Sequence, residues 1–148
     1  MIDKATILDW FSAECDTPPS EGESDDAIWV LVGILGKITM NIVQPKDASH
    51  IQIQRGIELQ DQHKSVIRGR TKKMQAEFLY RLKLGLIQTQ VRWKFVFSDP
   101  GQAEFAGVHM FTRIFEDGLS RDTFVDRLMK VHDASILVLV ELNKITEE

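Results

Sequence analysis

The sequence predicts an α+β domain built on a five-stranded antiparallel sheet with helices packed against it. Three observations lead there. Several stretches alternate apolar and polar residues with the two-residue period of a strand, and short turn signals join them. Other stretches carry apolar residues every three or four positions, the period of a helix face. Taken along the chain they give the order α-β-β-β-α-β-β-α, and runs of strands broken by helices indicate antiparallel pairing rather than a parallel α/β sheet.

Asp3 to Cys15 reads as the first helix, with Leu8, Phe11 and Cys15 on one face, Ile7 alongside, and Asp3 or Thr6 able to cap its start. Asp16 to Asp26 reads as a loop: it holds Pro18, Pro19 and Gly22 among five acidic residues. Ala27 to Ile34 is rich in β-branched residues and short for a helix, so it is read as a strand, with a tight turn at Leu35-Gly36. Lys37 to Gln44 places Ile38, Met40 and Ile42 on one face and Thr39 and Asn41 on the other. From Ser49 to Leu59 the apolar residues Ile51, Ile53, Ile57 and Leu59 are all odd-numbered, with Gln52, Gln54 and Glu58 opposite. These three strands form a meander.

The period then changes. Ile67, Thr71, Met74, Phe78, Leu82 and Gly85 make one stripe of a helix over Asp61 to Ile87, capped by Asp61, in which Gly69 marks a kink or a late start. Val91, Trp93, Phe95 and Phe97 alternate as a fourth strand, Asp99-Pro100-Gly101 forms a turn, and Glu104 to Phe115 is the fifth strand. After Glu116-Asp117-Gly118, Ser120 caps a last helix whose stripe is Phe124, Leu128, Val131, Ser135, Val138 and Leu142. No repeat or linker interrupts the pattern, so residues 1–148 are expected to form a single α+β domain.

That order, over Asp3 to Ile145, resembles the secretion-chaperone-like fold, the group holding type III secretion chaperones and YbjN-type proteins. It rests on element order and length, with no signature motif. The resemblance implies a small acidic homodimer that binds other proteins, and it carries no catalytic residues over to this chain. The basic middle helix is a departure from secretion chaperones.

Composition sets further bounds. The chain has 148 residues, enough for a core without disulfides, and its 43% apolar and 27% charged content are those of a globular protein. A net charge of −4 argues against nucleic acid or an anionic membrane as the main partner. The single cysteine, Cys15, suits a reducing cytoplasm, and the start at Met1-Ile2-Asp3-Lys4 lacks an apolar signal core. A cytoplasmic location is the expectation.

Chemistry is sparse. His50, His63, His109 and His132 show no helical ligand spacing and there is no C-x-x-C, so no metal is expected. Cys15 sits beside acids, which disfavours its thiolate, and Gly33 to Gly36 lacks the lysine of a phosphate loop. No cofactor and no enzymatic activity are expected.

Two features stand out instead. The first is apolar excess. Ala27 to Ile34, including Trp29, is apolar on both faces. The last strand carries Phe105, Phe111 and Phe115 opposite Val108, Met110 and Ile114, and Leu137 and Val140 belong to an apolar Ile136–Val140 run on the last helix. Trp29, Phe105, Phe111, Phe115, Leu137 and Val140 are therefore candidates for a dimer or client surface, and the function expected is a protein-interaction or chaperone-like module acting as a homodimer. The second is the run of basic residues from Lys64 to Lys83, in which Arg70, Lys73 and Arg81 form a candidate patch for a nucleic acid or an acidic protein. Against it, Lys73, Glu77 and Arg81 follow one another at four-residue spacing, as in a salt-bridged solvent face. A small-ligand site drawing on Glu58, His63, His109 and Glu141 stays open, although nothing in the sequence brings those residues together.

Overall fold

The structure is a computed structural model that describes residues 2–98 and 104–147. Helix α1 (Lys4–Glu14) precedes strands β1 (Ser20–Gly22), β2 (Ala27–Leu35), β3 (Ile38–Pro45) and β4 (His50–Glu58). Helices α2 (Asp61–Arg68) and α3 (Lys72–Gln88) follow, then β5 (Arg92–Phe97), β6 (Phe105–Phe115), a single 3-10 turn at Glu116–Gly118, and α4 (Arg121–Glu147). The strands make one sheet in the order β1-β2-β3-β4-β6-β5, with β1 to β4 a meander of antiparallel neighbours. β4 and β6 also run in opposite directions: Glu116 N–H donates to Ser49 O at one end and Leu59 N–H to Ala106 O at the other, both at 2.9 Å.

The sheet therefore has six strands rather than five. The extra one lies in the acidic Asp16–Asp26 segment, where Ser20, Glu21 and Gly22 pair with Val32, Leu31 and Val30. Three polar or small residues carry no alternation to read, and backbone pairing with an edge makes this strand. The hairpin turn sits one residue later than Leu35-Gly36, at Gly36 and Lys37, with φ of 55° and 68°. Two successive positive φ values are those of a type I′ turn, whose twist suits a two-residue hairpin. The Lys37 amide is held there by the Asp16 carboxylate at 3.2 Å.

The helix expected over Asp61–Ile87 is two helices. Gly69 and Arg70 end the first, and Thr71 starts the second by accepting from the Met74 amide at 3.1 Å. A low-propensity glycine next to a good N-cap makes two helices cheaper than one. Asp61 is the first residue of α2 rather than its cap, a position held by Gln60 without a side-chain bond. α1 is capped by Asp3, which accepts from the Ala5 amide, and Ser120 Oγ accepts from the Thr123 amide at the start of α4. The expected turn at Asp99-Pro100-Gly101 lies outside the described residues.

Cα packing divides the chain into two compact units, residues 1–55 with 111–132 and residues 56–110 with 133–148. In the first, Ile7 and Phe11 of α1, Leu31, Met40, Ile42, Ile51 and Ile53 of the sheet, and Phe124, Leu128 and Val131 of α4 are buried. Phe11 meets Phe124 edge-on with centroids 6.4 Å apart, a favoured aromatic geometry. In the second, Ile67, Phe78, Leu82, Leu86, Phe105, Val108, Met110, Val138 and Leu142 are buried.

The expected doubling of apolar faces is reduced. On β2, Ile28 and Ile34 are exposed, Val32 is half-buried, and Val30 is buried. The Ile136–Val140 run is not covered on all sides: Val138 is buried, but Ile136, Leu139 and Val140 are exposed.

Candidate functional site

In the second unit, β5 is the last strand of the sheet, so one of its two edges carries backbone N–H and C=O groups that no strand among the described residues takes up. Arg92 and Lys94 are exposed and put charge on its first half, while its second half is apolar. Val96 and Phe97 are exposed, and Trp93 and Phe95 are half-buried. The aromatic residues form a chain that ends inside the fold: Trp93 lies 4.8 Å from Phe95, Phe95 5.4 Å from Phe105, and Phe105 5.5 Å from Phe78, the last two pairs edge-on. The Lys83 ammonium sits 5.9 Å from the Phe95 ring centre. This anchoring ties β5 to the fold while leaving Val96 and Phe97 open at its rim.

Next to that rim, an open groove of about 610 Å³ runs over β4, β6 and β5. Gly56 leaves room in its floor, Val96, Phe97 and Val108 supply apolar walls, and Glu58, Lys94 and His109 supply polar ones. Gly107 explains how β6 comes so close to β4 here. A Cβ at that position would stand 2.3 Å from the Ile57 carbonyl oxygen, so no larger residue fits. Burial, and then the positive charge of Lys94, push His109 below its usual value, so its neutral ring is favoured in the groove.

The residues singled out from the sequence fall in different settings. Trp29 and Phe105, expected at a partner surface, are instead buried within the chain itself, Phe105 edge-on against Phe78 and Phe95. Phe111 is half-buried with the Arg113 guanidinium 5.6 Å from its ring, and Phe115 is exposed against His50 at 5.3 Å. Leu137 is half-buried where α4 passes Gly85, and Val140 is exposed one turn on.

The basic run does not act as one patch. Arg81 donates to the nearly buried Glu141 carboxylate of α4 at 3.0 Å, rather than joining Glu77 on its own helix. Arg70 donates to the last carbonyls of α4, Ile145 at 3.0 Å and Thr146 at 3.4 Å, where a cation also complements the helix dipole. Of the three, Lys73 alone extends to solvent without a bond to another described residue.

Of the four scattered polar residues, Glu58 and His109 come together in the groove, while Glu141 is taken up by Arg81 and Lys144. The groove's other residues gave no sequence signal, because an edge position depends on the order in which distant strands pair. Among the described residues no three His, Cys, Asp or Glu side chains gather as a metal site, and no helix is long and apolar enough to cross a membrane.

A family model described as "Uncharacterized conserved protein (DUF2299)" matches residues 3–142. The chain belongs to the DUF2299 family. Among solved structures, this DUF2299 chain is similar to an uncharacterized protein from Methanothermobacter thermautotrophicus, at 20% identity and a TM-score of 0.82, over 97% of this chain and 98% of that one. It is also similar to a chain of the ExsC-ExsE complex, at 10% identity and a TM-score of 0.54, over 91% and 90% of the two chains. The second likeness supports the secretion-chaperone-like fold expected from the element order. No curated protein matches the sequence.

Proposed function

We propose that this DUF2299 protein is a protein-interaction module that works as a homodimer, binding rather than catalysing. The observation that carries the reading is β5, an edge strand with an apolar rim beside an open groove. An exposed edge of that kind is a template for another strand unless charge, proline or a bulge blocks it. The likeness to a chain crystallised within a protein complex fits the same reading.

A second copy is the strand that fits. In a two-fold antiparallel pairing centred on Phe95, Trp93 lies opposite the partner's Phe97 and Lys94 opposite the partner's Val96. Aromatic rings then face aromatic rings, and Lys94 does not lie directly opposite its own counterpart.

Light scattering across a wide concentration range tests this. The native chain is expected to have the mass of a dimer, and Val96→Lys, which sets a charge opposite Lys94, is expected to give a monomer with unchanged circular dichroism. A native chain that stays monomeric into the high micromolar range would remove the proposal.

A further inference from the structure

A second cavity, apart from the β5 edge, lies between α2, α3 and the beginning of β6, with a volume of about 300 Å³. Its floor is apolar and well fixed: Ile67, Phe78 and Phe105 are all buried, and the two rings meet edge-on. Its rim is charged. Lys64 and Arg68 stand one turn apart on the same face of α2. Arg68 is already engaged by Glu104, whose Oε1 accepts from Nε at 3.1 Å and from Nη2 at 2.6 Å. Ser98 Oγ donates to the other oxygen of Glu104 at 3.3 Å. Lys64 is half-buried and its ammonium makes no bond to another described residue. Among the described residues the rim therefore keeps one uncompensated positive charge above an apolar floor.

We propose that this cavity binds a compact apolar carboxylic acid. The carboxylate would meet Lys64 at the rim, with Arg68 beside it, and the apolar part would rest on Ile67, Phe78 and Phe105. An anion there pairs with the Lys64 ammonium, while a cationic or neutral ligand leaves it without a partner. The volume suits a small molecule. At about 30 Å³ for each water-sized group, the cavity takes about ten non-hydrogen atoms, at the lower end of the ligand pockets found in proteins.

Octanoate, with an aliphatic chain and one carboxylate, is the probe, and octanol and octylamine are its controls. Titration calorimetry on the full chain is expected to show saturable octanoate binding, at least about tenfold tighter than octanol, with no octylamine binding. Lys64→Glu reverses the rim charge on a half-exposed side chain and is expected to abolish octanoate binding without changing the thermal midpoint. Leu79→Trp, which fills the cavity from α3, is expected to weaken octanoate and octanol alike. Equal affinity for octanoate and octanol, undiminished binding by Lys64→Glu, or no binding at millimolar octanoate would each overturn the proposal. The mass of the native chain is read separately, so failure here leaves the dimer reading untouched, and the reverse holds as well.

Discussion

At the scale of single residues, one close approach of two strands in this fold is open only to glycine. At Gly107 the obstacle to a side chain is a carbonyl oxygen of the neighbouring strand, and a backbone atom cannot rotate aside. Gly107→Ala is expected to lower stability by about 2–3 kcal/mol, the cost of overpacking, as read by urea unfolding. His109 offers a pH-dependent test. Burial and Lys94 hold its folded pKa below the ordinary value of 6.5. The folded state thus binds that proton more weakly than the unfolded chain does. The stability linked to His109 is complete above 6.5 and is lost as pH falls through the lowered folded value. His109→Gln should therefore lose less stability than the native chain between about pH 7 and pH 5. An equal loss in both proteins would mean that other groups, such as His50, carry the acid sensitivity.

At the scale of elements, the break between α2 and α3 decides what the basic residues do. Arg70 falls at the break, where its guanidinium reaches the end of α4, while Arg81 reaches the middle of α4 from α3. One uninterrupted helix would carry the same residues around a regular spiral. Thr71 sets the restart of α3 through its side-chain bond to the Met74 amide. Thr71→Ala is expected to cost about 1 kcal/mol by denaturant titration, the usual worth of an N-cap, and Thr71→Asp is expected to keep most of it. At Gly36-Lys37, the lysine accepts a left-handed conformation because the hairpin demands it and Asp16 holds its amide.

At the scale of the whole molecule, the unfinished feature is the edge of the sheet. β1, at one end, is three residues long, a length that limits pairing with a further strand. β5, at the other end, has six residues and an apolar rim. If a second copy covers β5, folding and association are linked, and the thermal midpoint of the native chain should rise with protein concentration while that of Val96→Lys should not. A midpoint independent of concentration in both proteins would speak against the dimer. The small cavity beside α2 is a separate matter, because ligand affinity and solution mass are different readouts.

The sequence by itself determined much of the core of β4 and α4. Ile51, Ile53, Ile57 and Leu59 alternate and are all buried, as is the α4 stripe of Phe124, Leu128, Val131, Ser135, Val138 and Leu142. Periodicity is a local property, so a local reading finds it. The Asp99-Pro100-Gly101 turn was equally legible as a signal but falls outside the described residues. The tertiary structure alone decided which segment became the sixth strand, which strands lie at the edges, where Arg70 and Arg81 spend their charge, and that Glu58 and His109 share one groove. Each of these depends on pairing between segments far apart in the chain. That pairing follows from how all the apolar faces are satisfied together, and no single stretch of sequence encodes it.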